Sequence, residues 1–110
     1  MMEYRQRGSI EVIQEIKTVL KDRPIYITFD LDCLDPSVAP AVANLEPGST
    51  GFSMDEAVEL IHAVRGMNII GGDVVCIMPT KDSPNQITAM VASAIMFEMI
   101  SMIAEKISTQ

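Results

Sequence analysis

The run "PIYITFDLDCLDP", residues 24–36, constrains this chain more than any other stretch: an apolar, β-branched segment leads into three carboxylates, Asp30, Asp32 and Asp35, and stops at Pro36. Ile, Tyr, Thr and Phe favour strands, and the flanking prolines bound the run, which predicts a strand over about Ile25–Asp30. A strand this apolar belongs in an α/β fold with both faces of its sheet covered. Residues i and i+2 of a strand point to one side, which sets Asp30 and Asp32 about 6.5 Å apart along the backbone. Two carboxylates roughly 6 Å apart repel by about 3 kcal/mol at an effective dielectric of 20. A cation removes that cost, and ligands of parallel α/β sheets gather at the carboxyl ends of strands. Asp30 and Asp32 are therefore candidate ligands for a hard ion, Mg²⁺, Mn²⁺ or Ca²⁺. The competing reading leaves Asp30 in solvent and gives Asp32 and Asp35 to turn capping.

Around this strand the pattern alternates. Val12, Ile13, Ile16, Val19 and Leu20 recur at helical spacing, predicting an amphipathic helix from about Ser9 to Lys21. Five Pro and Gly residues between Pro36 and Gly51 exclude regular structure there and leave a long loop of the functional kind. Ser53 with Glu56 forms a capping-box signature, followed by the stripe Ala57, Leu60, Ile61, Val64 of a helix ending at Gly66. "NIIGGDVVCIMP" reads as a second apolar strand, and Ser83-Pro84 as the N-cap and first turn of a last helix from about Pro84 to Ile107. Helix, strand, loop, helix, strand, helix is α/β with a parallel crossover. Two strands do not make such a sheet alone, so the 110 residues read as a single partial domain whose remaining strands come from elsewhere.

Composition limits the partners. The net charge of −7, from 15 acidic against 8 basic residues with no basic run, excludes nucleic acid and anionic membranes as targets. A hydrophobic share of 48% in so short a chain points to a homo-oligomer or to part of a larger body. Cys33 and Cys76 lie in apolar runs without metal-ligand spacing and read as reduced core thiols. "MMEYRQRGSIEV" holds no apolar stretch of signal-peptide length, which makes the cytoplasm the expected compartment. Residues 87–104 approach the length of a membrane span but carry Glu98, Thr88 and two serines, and read as a helix buried inside protein, with its Met90, Met96, Met99 and Met102 as packing residues.

"ITFDLDCLDPSVAP" resembles the signature of the ureohydrolases, the agmatinase and arginase family of manganese amidinohydrolases. "EPGSTGFSMDEAVELI" resembles that family's glycine-rich loop and next helix, and "GGDVVCIMPTKDSPNQITAMVASAIMFEMI" its last strand and helix. The likeness runs from about Ile25 to Ile103. It implies the C-terminal part of a three-layer α/β/α fold with parallel strands, a binuclear Mn²⁺ site that activates a bridging hydroxide, and hydrolysis of a C–N bond in a small linear amidine or guanidino compound. Carried over by position, Asp30 and Asp32 match two metal ligands, and Asp35 matches a motif aspartate expected to order the loop; no residue is carried over as catalytic.

The sequence departs from the family at three places. The upstream ligand motifs, of the GGDHS and DAHxD kind, are absent from these 110 residues, and the single histidine, His62, reads as a partly exposed helix residue. Cys76 stands where substrate-binding members carry a Glu that pairs with the guanidinium. "AVANLEPGS" differs from the family's loop, with two residues inserted before Gly51. Half of the metal ligands are present, so the isolated chain is expected to be inactive, and the substrate does not carry over.

Two other classes share part of this pattern. "FDLD" also opens the motif of haloacid-dehalogenase-like Mg²⁺ phosphotransferases, with Asp30 as nucleophile and Asp32 as general acid, but Cys33 and Leu34 replace that motif's glycine and hydroxyl residue and Asp35-Pro36 has no place in it. A non-catalytic interaction module, or a gene fragment, is the third reading.

Overall fold

The computed structural model describes residues 2–43 and 51–109. Its elements are α1 (Met2–Arg7), α2 (Ser9–Leu20), β1 (Ile25–Asp30), α3 (Met54–His62), β2 (Ile69–Val75) and α4 (Ile87–Ser108), with short 3-10 turns at Leu31–Cys33 and Pro79–Lys81. β1 and β2 pair in parallel, from Ile25 with Ile69 to Asp30 with Val75, with one bulge at the first pair. Both strands, α2 and the α3 start fall where the sequence predicts. The α3 capping box is complete: Glu56 N–H donates to Ser53 Oγ (3.2 Å) and Ser53 N–H to Glu56 Oε1 (3.0 Å). Gly66, at φ +84°, closes the turn after α3 in a conformation that suits glycine.

The sheet is covered on one face by the described residues. Ile27 and Phe29 of β1 share a 250 Å³ cavity with Ile16 of α2, with Ala57, Leu60 and Ile61 of α3 and with Val64 in the turn after α3. Gly72, the pairing partner of Ile27, faces Met99 of α4, whose sulfur would lie 2.8 Å from a Cβ placed there. A leucine at 72 would close that approach, so the helix seats here because the strand is bare. The opposite face carries Tyr26, Thr28 and Asp73 and stays open: Tyr26 is 58% exposed, and both hydroxyls donate to Asp73 (2.9 and 2.6 Å). Within the described residues, then, one face of the sheet is covered and the other is not. Alternation decides it, because the apolar residues of β1 that find helices sit at 25, 27 and 29, and the even positions meet no layer.

α4 is long and apolar enough to cross a membrane by length and composition, with a mean hydropathy of 1.9. Here Thr88, Val91, Ile95, Met99 and Met102 are buried against the rest of the chain, while Met90 and Phe97 stand 63% and 67% exposed. Of the four methionines expected to pack, Met99 and Met102 are buried and Met96 partly so, whereas Met90 is not. α1 was not anticipated, since its six residues lack an apolar stripe. It is tied down by Tyr4, edge-to-face on Phe52 at 5.4 Å, and by Arg5, which donates to Gly51 O and Glu56.

The start of α4 differs from the sequence expectation. The helix begins at Ile87, three residues after Pro84, because residues 83–86 close a turn (Gln86 N–H to Ser83 O, 2.8 Å) and Gln86 adopts φ +57°. The main cap is Asp82. Its carboxylate accepts from the N–H groups of Ser83 (2.9 Å), Thr88 and Ala89 (both 3.1 Å), and Ser83 Oγ adds only Ile87 N–H at 3.3 Å. Burial alone pushes the Asp82 carboxyl up, but the backbone donors of Thr88, Ala89 and Ser83 together hold it below the usual range. A carboxyl depressed in the folded state stabilises above its unfolded pKa, about 3.9, and that contribution is lost as pH falls through the folded value. Asp82→Asn is therefore expected to lower the urea midpoint at neutral pH and to flatten the loss of stability below about pH 4; an unchanged acid limb would remove Asp82 as its source.

Candidate metal centre

β1 ends at Asp30 and the chain turns at once. Leu31, fully buried, and Leu34, 2% exposed, pin the 3-10 turn between them to the core, which leaves Asp30 and Asp32 at the strand's carboxyl end. Asp32 lies past the strand, so the pair is not set by strand alternation. The turn does it: Asp30 Oδ1 accepts the Asp32 N–H at 2.8 Å. The parallel register then adds a residue from β2. Val75 pairs with Asp30, and Cys76, at φ +72°, follows it to the same edge. Ligand atoms of Asp30, Asp32 and Cys76 all lie within 4.8 Å of one another. Cys76 is exposed and stands in this cluster, which corrects its reading as a core thiol, whereas Cys33 is half-buried and packs on the core.

The loop behind the cluster is built for rigidity. Asp35 accepts from Ser37 N–H (2.9 Å) and Ser37 Oγ (2.7 Å), which hold its carboxyl below the usual range, and its carbonyl takes the N–H of Val38 and Ala39. That is loop ordering. Ala39, Ala41 and Val42 are buried, and Ala41 is clamped by Thr88 Oγ1, which accepts its N–H at 3.0 Å, and by Met78, which donates to its carbonyl at 2.7 Å. On the other side Phe52 exchanges backbone bonds with Cys33 and Asp35 (2.9 and 3.0 Å). Residues 44–50, which include most of the loop with the expected insertion, lie outside the described residues.

The electrostatics are those of concentrated negative charge. Burial, then Asp30 and Asp32, push the Cys33 thiol up to about 11. Cys76 is raised as well, by desolvation first, then by its hydrogen bond to Asp30 and the charge of both aspartates. In both thiols burial is the largest cause and the two aspartates add to it in the same direction. Two carboxylates and a sulfur at one strand edge are a donor set for a divalent ion. His62 takes no part: its Nε2 lies 2.6 Å from Glu98 of α4. The family resemblance marks Cys76 as a substrate-side position, but nothing local in the sequence sets it beside the two aspartates; the pairing of Asp30 with Val75 does.

The chain is a parallel α/β fold with two carboxylates at the carboxyl end of β1, and comparison with known proteins makes its class specific. The chain belongs to the arginase family, whose model matches residues 1–101. It is 38% identical over 104 residues to an agmatinase of Escherichia coli O7:K1, covering 94% of this chain and 33% of that protein. Among solved structures, proclavaminate amidinohydrolase from Streptomyces clavuligerus superposes with a TM-score of 0.86 at 28% identity, covering 94% of this chain and 34% of the other. Formimidoylglutamase from Bacillus subtilis gives 0.79 at 29%, covering 91% and 31%. The chain thus spans about a third of the length of its relatives, and its fold is the C-terminal part of theirs. The phosphotransferase alternative is not favoured by these matches.

Gly51 couples this loop to the site. A Cβ there would stand 2.5 Å from both Asp35 Cα and Asp35 N and 2.9 Å from Leu34 C, all backbone atoms that cannot rotate away. Gly51→Ala is expected to cost about 1–3 kcal/mol in urea denaturation and to shift the amide resonances of residues 30–36. A stability within error of the parent would show that the two segments are not in contact in solution.

Proposed function

We propose that this chain carries one metal-ligand segment of a manganese-dependent amidinohydrolase, an enzyme that cleaves a C–N bond in a small linear amidine, and that the 110 residues by themselves do not turn over. The observation that carries the proposal is the placing of Asp30 and Asp32 at one strand edge in a chain of the arginase family. In that role the two carboxylates hold the ions, the 3-10 turn fixes their spacing, and Asp35 with Gly51 keeps the loop in place. Bound manganese supplies Lewis acidity and an activated water at neutral pH. Cys76 leaves the site without a fixed carboxylate at that position, so a guanidinium loses one expected partner and the substrate class stays at the level of amidines. The cytoplasm is the proposed location. Association with further copies of the chain belongs to the same reading, since Met90, Phe97 and Ile100 stand exposed along α4.

Two carboxylates are fewer than the ligands a closed divalent site uses. Calorimetric titration of the chain with Mn²⁺ is expected to show weak binding, at best submillimolar, lost in Asp30→Asn; tight binding indifferent to that change would overturn the assignment. Catalysis demands more. Activating water needs an ion held firmly with an open position, and the GGDHS- and DAHxD-type ligands are not in these residues. No urea release from agmatine, arginine or guanidinobutyrate is expected even at millimolar Mn²⁺, and Cys76→Glu alone should not rescue it. Manganese-dependent urea release that disappears in Asp32→Asn would show instead that the chain assembles a whole site.

A further inference from the structure

We propose that Cys76 is a third donor at this site and that it turns the ion preference of this chain from Mn²⁺ toward a thiophilic or borderline divalent cation of the Co²⁺ and Zn²⁺ kind. The inference rests on the reading of Asp30 and Asp32 as metal ligands. Three ligand atoms mutually within 4.8 Å leave a point no more than about 2.8 Å from each, close to the roughly 2.0–2.3 Å of zinc–oxygen and zinc–sulfur bonds. Small side-chain rotations close that gap, and Asp30 and Cys76 are both exposed.

Donor chemistry then decides the ion. Carboxylates alone suit Mg²⁺, Ca²⁺ and Mn²⁺, whereas a thiolate selects softer ions, and for any shared N, O or S site affinity rises from Mn²⁺ through Co²⁺ to Cu²⁺, with Zn²⁺ also above Mn²⁺. Two carboxylates and one sulfur also leave a fourth tetrahedral position for water. On ligation the thiol gives its proton to solvent and forms the metal–sulfur bond, with no change of oxidation state. Cys33 is an internal control, because it lies near the same aspartates but packs against the core.

The test is titration of the whole 110-residue chain, kept reduced, with Co²⁺ alone and with Mn²⁺ alone. Co²⁺ is expected to bind more tightly than Mn²⁺ and to develop sulfur-to-cobalt charge-transfer absorption in the near ultraviolet. Cys76→Ser should abolish that absorption and weaken Co²⁺ by more than the roughly 10–100-fold that loss of an outer partner costs, with much less effect on Mn²⁺. Cys33→Ser should leave both intact, and circular dichroism checks that each variant folds. Co²⁺ binding without the absorption, an absorption that survives in Cys76→Ser, or tighter Mn²⁺ than Co²⁺ in the parent would each overturn the proposal. Binding abolished by Asp30→Asn but untouched by Cys76→Ser would remove this inference and leave the carboxylate site standing. Binding untouched by Asp30→Asn would remove both.

Discussion

The parallel pairing of β1 with β2 is the constraint on which everything else depends. It aligns two strand ends at one edge, and with Asp30 opposite Val75 the residues that follow each strand are forced into one small volume. Parallel strands cannot be joined by a tight turn, so the chain must leave the sheet, run through a loop and α3, and return. That excursion supplies the buried Ala39–Val42 segment and the Gly51–Phe52 contact that brace the carboxylates. The site is a by-product of the crossover, made rigid by the same residues that close it.

Coverage of only one sheet face gives the molecule its other character. α2, α3 and α4 share a face because Ile25, Ile27, Phe29 and the bare Gly72 offer them an apolar floor. The second face holds a small polar network, Tyr26 and Thr28 on Asp73, with exposed apolar surface nearby at Ile70 and Val75. Relatives about three times as long share this fold, which accounts for a chain whose apolar content exceeds what its own core consumes. Surface ion pairs such as that of Arg65, in the turn after α3, with Glu105 of α4 contribute little beside the burial of Ile95 and Met99.

Much of this was legible in the residues. Strand propensity between two prolines located β1, apolar periodicity located α2, and Ser53 with Glu56 located the start of α3, since each signal is local and the local interaction survives in the fold. The start of α4 was misplaced for the same reason in reverse. Ser83-Pro84 is a good local cap, yet Asp82 reaches Thr88 and Ala89 from outside the helix, and the positive φ of Gln86 delays the first turn.

The sequence alone determined that β1 ends in carboxylates followed by a Pro- and Gly-containing loop, and that Asp30 and Asp32 are two residues apart and so stay near one another. Tertiary structure decided what those neighbours meet. Cys76 is 44 residues from Asp32, and no propensity or period links them; strand register does. The same register put Gly72 under Met99 and left Tyr26 on the open face. Local chemistry chooses the elements, but which side chains converge depends on the one long-range pairing whose partners are chosen by the whole core.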